Sequence, residues 1–238
     1  MILDLDLGNT FLKWRCGDQR GRCVSAELTG EALAQAWQTL TPARVRLASV
    51  AGESAEQLIE AVVHERWGVS LEKARTEAAA AGVVNSYEVP GRMGVDRWLA
   101  MLAGYERARG GCCVVDCGSA ITVDLVDENG SHLGGYIMPG LRLMRESLLS
   151  RTQRVRPEGE PLAERVSPGR STEECVDHGI YLMLAGLAER VATDCDRLLG
   201  AEAALFITGG DGETFYRLAG VGSLVPDLVL EGLERALP

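Results

Sequence analysis

MILDLDLGNTFLKW, residues 1–14, returns in pattern at residues 112–125 as CCVVDCGSAITVDL. In each copy an apolar strand ends in Asp-x-Gly and a second alternating strand follows. Asp6 aligns with Asp116, Gly8 with Gly118 and Asn9 with Ser119. A plain β-turn needs only Gly and Asn. Carboxylates, a hydroxyl and Lys13 gathered at the turn point to a charged ligand. Glycine lets backbone N–H groups approach a phosphate, Thr10 adds a hydroxyl donor, and Lys13 adds a positive charge. Asp6 cannot meet a phosphate without a cation or water between them, so the turn implies ATP with a bound metal. In the second copy Ser119 offers a donor and Asp116 a place for a cation. The ordinary alternative for each hairpin alone is a solvated turn.

The elements around these hairpins repeat as well. FLKWR (11–15) and RCVSAEL (22–28) read as strands joined by GDQRG, GEALAQAWQTL (30–40) as a helix, ARVRLASV (43–50) as a strand and ESAEQLIEAVVHERW (53–67) as an amphipathic helix. After the turn-rich SYEVPGRMG (86–94), DRWLAMLAGYERAR (96–109) reads as a helix. The series restarts with strands at 112–117, 120–127 and 132–138 and a helix at 140–150. A charged loop at 151–170, a long helix from about 172 to 198, a strand at 204–210 and a helix at 211–219 follow. The pattern predicts an α/β protein made of two duplicated domains, 1–110 and 111–238, with a ligand cleft between them.

Totals narrow the classes. The 238-residue chain has 46% hydrophobic and 24% charged residues, which is the composition of a folded protein with a sizeable core. Its net charge of −10 argues against a nucleic-acid backbone as partner. No apolar run approaches the roughly 18–20 residues that span a bilayer, and no signal peptide is evident. Seven cysteines without a C-x-x-C pair fit reduced thiols in a cytoplasm better than disulfides or a zinc knuckle. His64, His132 and His178 form no ligand-spaced set and read as surface or structural residues.

The most specific stretch is YEVPGRMGVDRW (87–98), where Asp96 and Arg97 open a helix after a glycine-rich loop. An acidic helix N-terminus is common. The functional reading makes Asp96 a base and Arg97 a fork for a carboxylate or phosphate. ITGGD (207–211) is a weaker glycine turn at which backbone could approach a nucleotide.

Taken together, DLGNTFLKW, PGRMGVDRW, DCGSAITVD, GGYIMPG, STEECVDHG and ITGGD resemble the type III pantothenate kinases, in order and from residue 4 to about 211. The resemblance implies two ribonuclease-H-like domains of the acetate and sugar kinase, Hsp70 and actin superfamily. It implies ATP-dependent phosphorylation of pantothenate to 4′-phosphopantothenate, the first step of coenzyme A synthesis. Asp96 would be the general base, with Tyr87, Gly94, Val95, Asp96, Arg97 and Thr172 around pantothenate. Asp6, Leu7, Gly8, Asn9, Thr10, Phe11, Leu12, Lys13 and Ser119 would lie at ATP. Asp116 would hold a monovalent cation, potassium or ammonium, and Asp6 would reach Mg²⁺ mostly through water. The resemblance also implies a homodimer. Ser119 stands where the family more often has Thr, and Met93 where it more often has Leu. Another small-molecule kinase of the superfamily, or a non-catalytic regulatory relative, are the competing readings.

Overall fold

The computed structural model describes residues 1–151 and 167–238, so the charged stretch 152–166, with Arg154, Arg156, Glu158 and Glu160, lies outside the described residues. In chain order the elements are β1 (Ile2–Leu7), β2 (Phe11–Cys16), β3 (Gln19–Val24), α1 (Gly30–Ala36), β4 (Arg44–Ser49), α2 (Glu53–Trp67), β5 (Leu71–Lys73), β6 (Ala79–Ala80), β7 (Val83–Val84) and α3 (Val95–Ala108). Then come β8 (Cys112–Cys117), β9 (Ala120–Val126), β10 (His132–Pro139), α4 (Leu141–Arg151), α5 (Thr172–Leu199), β11 (Ala204–Thr208), α6 (Gly212–Ala219), β12 (Ser223–Leu224) and α7 (Leu228–Ala236). The chain forms two compact units. Unit 1 holds Met1–Arg107, Gly130–His132 and Asp227–Pro238; unit 2 holds Ala108–Asn129 and Leu133–Pro226.

Unit 1 is built on a five-stranded sheet of order β3-β2-β1-β4-β5, and unit 2 on one of order β10-β9-β8-β11-β12. The two orders are the same once the second series is matched to the first. In both, the central strand pairs antiparallel with its hairpin partner (Asp6 opposite Lys13, Asp116 opposite Thr122) and parallel with the strand on its other side. The duplication extends to single hydrogen bonds. Gly8 N donates to Phe11 O and Gly118 N to Ala120 O, each at 3.0 Å. Val50 N donates to Leu7 O at 3.1 Å, and Asp211 N to Cys117 O at 2.9 Å.

Strand alternation decides what each face of the first sheet does. Leu3, Leu5 and Leu7 point one way and join Leu33 of α1 and Ile59, Val62 and Val63 of α2 in one core. Asp4 and Asp6 point the other way, toward the side where α7 packs on β1 and β4. Asp4 is only 3% exposed, and two guanidiniums neutralise it: Arg46 Nε at 2.7 Å and Arg15 Nη2 at 3.0 Å. The same arginines reach the C-terminal segment, Arg15 through Glu234 (2.6 Å) and Arg46 through the Leu237 carbonyl (2.9 Å). A Cβ on Gly232 would stand 2.2 Å from Leu99 O, so the missing side chain is what lets α7 lie against α3.

Unit 2 repeats the layering. Cys113, Val115 and Cys117 of β8 and Ile121, Val123 and Leu125 of β9 pack against Leu184, Ala188, Val191 and Cys195 of α5 and Phe215 of α6. All seven cysteines are free thiols. Burial drives the Cys112 thiol up to about 12 and the Cys117 thiol also upward, so both are held as neutral core side chains.

Candidate active site

The β1–β2 turn is closed by its own backbone. The Gly8 amide is committed to Phe11 O, Gly8 O accepts from Ser25 Oγ at 2.7 Å, and Ser25 N donates to Thr10 O at 2.9 Å. The turn therefore presents its Asn9–Thr10 tip outward, with Asn9 exposed. Leu7 and Leu12 are fully buried, so their side chains belong to the core and only their backbone belongs to the turn. Asp6 and Lys13 face each other across the hairpin, both half-buried on the sheet face opposite the Leu3–Leu5–Leu7 core. Phe11 stacks beneath the Arg22 guanidinium, 4.9 Å from its ring centroid.

Unit 1 also holds the second cluster. Pro90–Arg92 form a 3₁₀ turn that delivers Met93, buried and held through its carbonyl by Thr76 Oγ1 at 3.0 Å. Helix α3 then begins at Val95, which is itself buried. Asp96 lies in the first turn, half-buried, and its Oδ1 accepts the Arg97 amide at 2.8 Å. This position suits a carboxylate, because the helix N-terminus carries partial positive charge. Arg97 turns inward and is 6% exposed. Its Nη1 donates to the Tyr87 hydroxyl at 2.9 Å, and its guanidinium carbon lies 5.7 Å from the Tyr87 ring centroid. Tyr87 is positioned in turn by Asn85, a buried residue whose Oδ1 accepts the Tyr87 amide at 3.0 Å. Sequence reading passes over Asn85 and Thr76, and gives His132 only a surface or structural role. Asn85 two residues before Tyr87 carries the signal of an Asx turn, but Thr76 and His132 enter through tertiary packing that no local spacing encodes.

In unit 2, Asp116 is the second-last residue of β8 and lies beside two glycines. Its Oδ1 would lie 2.5 Å from a Cβ on Gly209 and 3.4 Å from one on Gly118, so the carboxylate packs against backbone that only a missing side chain at residue 209 lets come this near. Gly209 also has φ +92°, a conformation that favours glycine. Ser119 follows at the hairpin tip, and its carbonyl accepts the Gly140 amide at 3.1 Å. Asp211 lies just beyond, and burial raises its carboxyl above the usual range. Thr172 starts α5, exposed. Its neighbour Ser171 is occupied as the N-cap, accepting from Glu174 N at 3.2 Å, while Glu174 Oε2 accepts the amide of Arg170, the residue before the cap, at 2.7 Å. Two cavities of unit 2, about 350 and 270 Å³, contain none of the sequence-predicted site residues. Among the described residues no three His, Cys, Asp or Glu side chains gather to hold a metal. Mg²⁺ tends to bind one or two carboxylates and to take its other ligands from phosphates and water. The hard carboxylate oxygens of Asp6 and Asp116 are of the chemical type that such cations take as ligands.

Two α/β units on five-stranded sheets of equivalent order, each with an acidic hairpin at its centre, define a duplicated α/β fold that solved structures share. Two crystal structures share this fold over 98% of the chain: a protein from Campylobacter jejuni named as a Baf-family transcriptional activator (TM-score 0.63, 19% identity, 95% of that chain) and MreB 5 of Spiroplasma citri bound to AMPPNP (TM-score 0.52, 9% identity, 94% of that chain). Within the class, residues 2–194 match the family model of type III pantothenate kinase. Relatives of that name from Pseudomonas fluorescens and Chromohalobacter salexigens are each 42% identical across 100% of this chain, covering 99% and 88% of their own lengths. The chain belongs to the type III pantothenate kinase family.

Proposed function

We propose that this protein transfers the γ-phosphoryl group of ATP to the primary hydroxyl of pantothenate, giving 4′-phosphopantothenate and ADP, the first step of coenzyme A synthesis. The observation that carries the reading is the pairing at the start of α3. A half-buried carboxylate, Asp96, adjoins a buried guanidinium, Arg97, which is already bonded to the Tyr87 hydroxyl. Pantothenate bears an alcohol to be deprotonated and a carboxylate to be held, and these three side chains match both groups.

Phosphoryl transfer needs placement and charge neutralisation more than covalent chemistry from the protein. Asp96 accepts the proton as the hydroxyl oxygen bonds to the γ-phosphorus and the bond to the bridging oxygen breaks toward ADP. Arg97 and Tyr87 hold the carboxylate of pantothenate, with Gly94 and Val95 contributing backbone and Thr172 a hydroxyl. The Asp6–Lys13 turn binds the phosphates, through the Thr10 hydroxyl, the Lys13 ammonium and the backbone from Leu7 to Leu12, and Ser119 adds a donor. Asp6 would hold Mg²⁺ through water and Asp116 a potassium or ammonium ion. These cations, when bound, neutralise the triphosphate.

We further infer a homodimer. Unit 2 exposes large apolar side chains on β10 (Tyr136 at 55% and Ile137 at 63%) and on α5 (Leu182 at 60% and Met183 at 55%), more than a monomer usually leaves to water. Cytoplasmic location is supported by the seven free thiols. No described helix is long and apolar enough to cross a membrane.

A coupled assay for ADP, with pantothenate compared against sugars and acetate and with and without potassium or ammonium, tests the activity. Turnover of a sugar or acetate in preference to pantothenate would sink it, as would nucleotide binding with no turnover. Sedimentation equilibrium tests the dimer, and a monomer at micromolar concentration would refute it.

A further inference from the structure

His132 does not lie at a surface turn. The chain rejoins unit 1 at Gly130–His132, and there His132 is buried, 4% exposed. Its Nδ1 is 2.9 Å from Ser86 Oγ, and its ring stacks on Tyr87 with centroids 6.4 Å apart and planes at 25°. Tyr87 receives the Arg97 Nη1 hydrogen at its hydroxyl oxygen. A phenol that accepts this bond keeps its own hydrogen to donate elsewhere. The Tyr87 hydroxyl and the Arg97 guanidinium bonded to it thus form one unit, a donor fork whose geometry depends on the angle of the Tyr87 ring.

The backbone holds His132 in place without help from the imidazole. Val84 N donates to Gly130 O at 2.8 Å, and Val84 bridges to Ser131. Gly130 has φ +82°, and a Cβ there would stand 1.9 Å from Gly82 O, so the two segments meet backbone to backbone. The imidazole is therefore an addition to a segment that is already fixed.

We propose that His132 is a positioning residue for substrate: it sets the Tyr87 ring, and through it the donor fork that receives the carboxylate of pantothenate. The inference rests on the pantothenate-kinase reading above. A second layer of contacts that locks a binding side chain in its rotamer lowers the ordering cost on binding. Losing it raises KM for the group bound there and leaves the nucleotide alone.

The test uses the full chain. His132→Ala is expected to raise the KM for pantothenate about tenfold, the size of one aromatic contact and one hydrogen bond together. The KM for ATP should stay within about twofold, a difference too small to mark a lost contact. His132→Phe, which keeps a ring but loses the Nδ1 bond, and Ser86→Ala, at an exposed residue, should give intermediate effects and carry the test if the alanine variant folds poorly. The decisive measurement is the cycle with Tyr87→Ala. In that background the His132→Ala change should add little, because its route to substrate is gone. An unchanged pantothenate KM in all three single variants overturns the proposal. So does an effect that persists undiminished without Tyr87, or one that falls equally on ATP. Failure of the wild-type protein to turn over pantothenate would instead refute the functional reading, and this inference with it.

Discussion

A Cβ added to Gly94 would stand 2.5 Å from Asp96 Oδ1. The carboxylate of the proposed base thus occupies space that exists only because residue 94 has no side chain. Gly94 has no left-handed φ to forbid alanine, so Gly94→Ala should fold and push the carboxylate aside. We expect kcat to fall by about tenfold or more, one decade per 1.36 kcal/mol of lost transition-state stabilisation, with the melting temperature close to wild type. Wild-type kcat in this variant would mean that the observed carboxylate position is not the working one.

Asp96→Asn removes the base but keeps the shape and the bond to the Arg97 amide, which the amide oxygen can accept. A positioned base contributes about 10²–10⁴ in rate, and kcat should drop by that factor with pantothenate affinity little changed. Single-turnover measurement with saturating ATP and pantothenate checks it. A variant that turns over normally would move the base elsewhere.

Arg97→Lys keeps the charge and loses the fork. Arg97 is buried and its Nη1 is bonded to Tyr87, so a lysine would be a poorer match to a carboxylate. Hydrogen bonds to charged groups contribute about 1.5–3 kcal/mol, which corresponds to roughly a 10–100-fold rise in pantothenate KM at 1.4 kcal/mol per decade. The KM for ATP should not move. Equal weakening of both substrates would show that Arg97 acts on the fold of the loop rather than on pantothenate.

The strand pattern made the doubled hairpin legible, because alternation and Asp-x-Gly recur together and local sequence fixes both. Helix α2 matches its expected span, Glu53–Trp67, since its apolar spacing and Gly68 stop are local signals. What stayed hidden depends on distant packing. Segment 227–238 carries no mark that it returns to the first sheet; that follows from Gly232 meeting Leu99 and from the arginines around Asp4. The sequence leaves His132 as a surface or structural residue at the start of a strand, and its partners, Ser86 and Tyr87, are more than forty positions away. The bond from the Gly8 amide to Phe11 O, which closes the hairpin, likewise carries no residue-type signal.

Asp211 gives a pH test. Burial raises its carboxyl above the ordinary range near 3.8. The folded state then binds this proton more readily than the unfolded chain does. Its favourable contribution is complete below the unfolded value and is lost as pH rises through the raised one. At neutral pH the buried charge is a cost, which Asp211→Asn removes. The variant should melt higher than wild type at pH 7–8, and the gap should close as pH falls toward about 4. A lower melting temperature at pH 8 would show that the carboxylate has a stabilising partner there.

Asp4 and Asp6 sit two residues apart on one strand face and should fail in opposite ways. Asp4 is a buried anion whose side chain is 4% exposed, and Arg46, equally buried, is one of its two counter-charges. Removing one partner of a buried pair costs about 3–5 kcal/mol when the charge is left uncompensated, and less here because Arg15 still pairs with Asp4. Arg46→Met should therefore lower the denaturant midpoint and leave kcat per folded molecule unchanged, since Arg46 reaches Asp4 and the Leu237 carbonyl. Asp6 is half-buried at the mouth of the turn, opposite Lys13. Asp6→Asn, at a half-buried position, should lower the midpoint less than Arg46→Met does. It should raise the Mg²⁺ and ATP concentrations needed for half-maximal rate, because the amide is a weaker partner for hydrated Mg²⁺. If instead Asp6→Asn unfolded the protein and Arg46→Met abolished turnover in the folded fraction, the division of labour along β1 would be reversed, and the opening acid pair would need a new assignment.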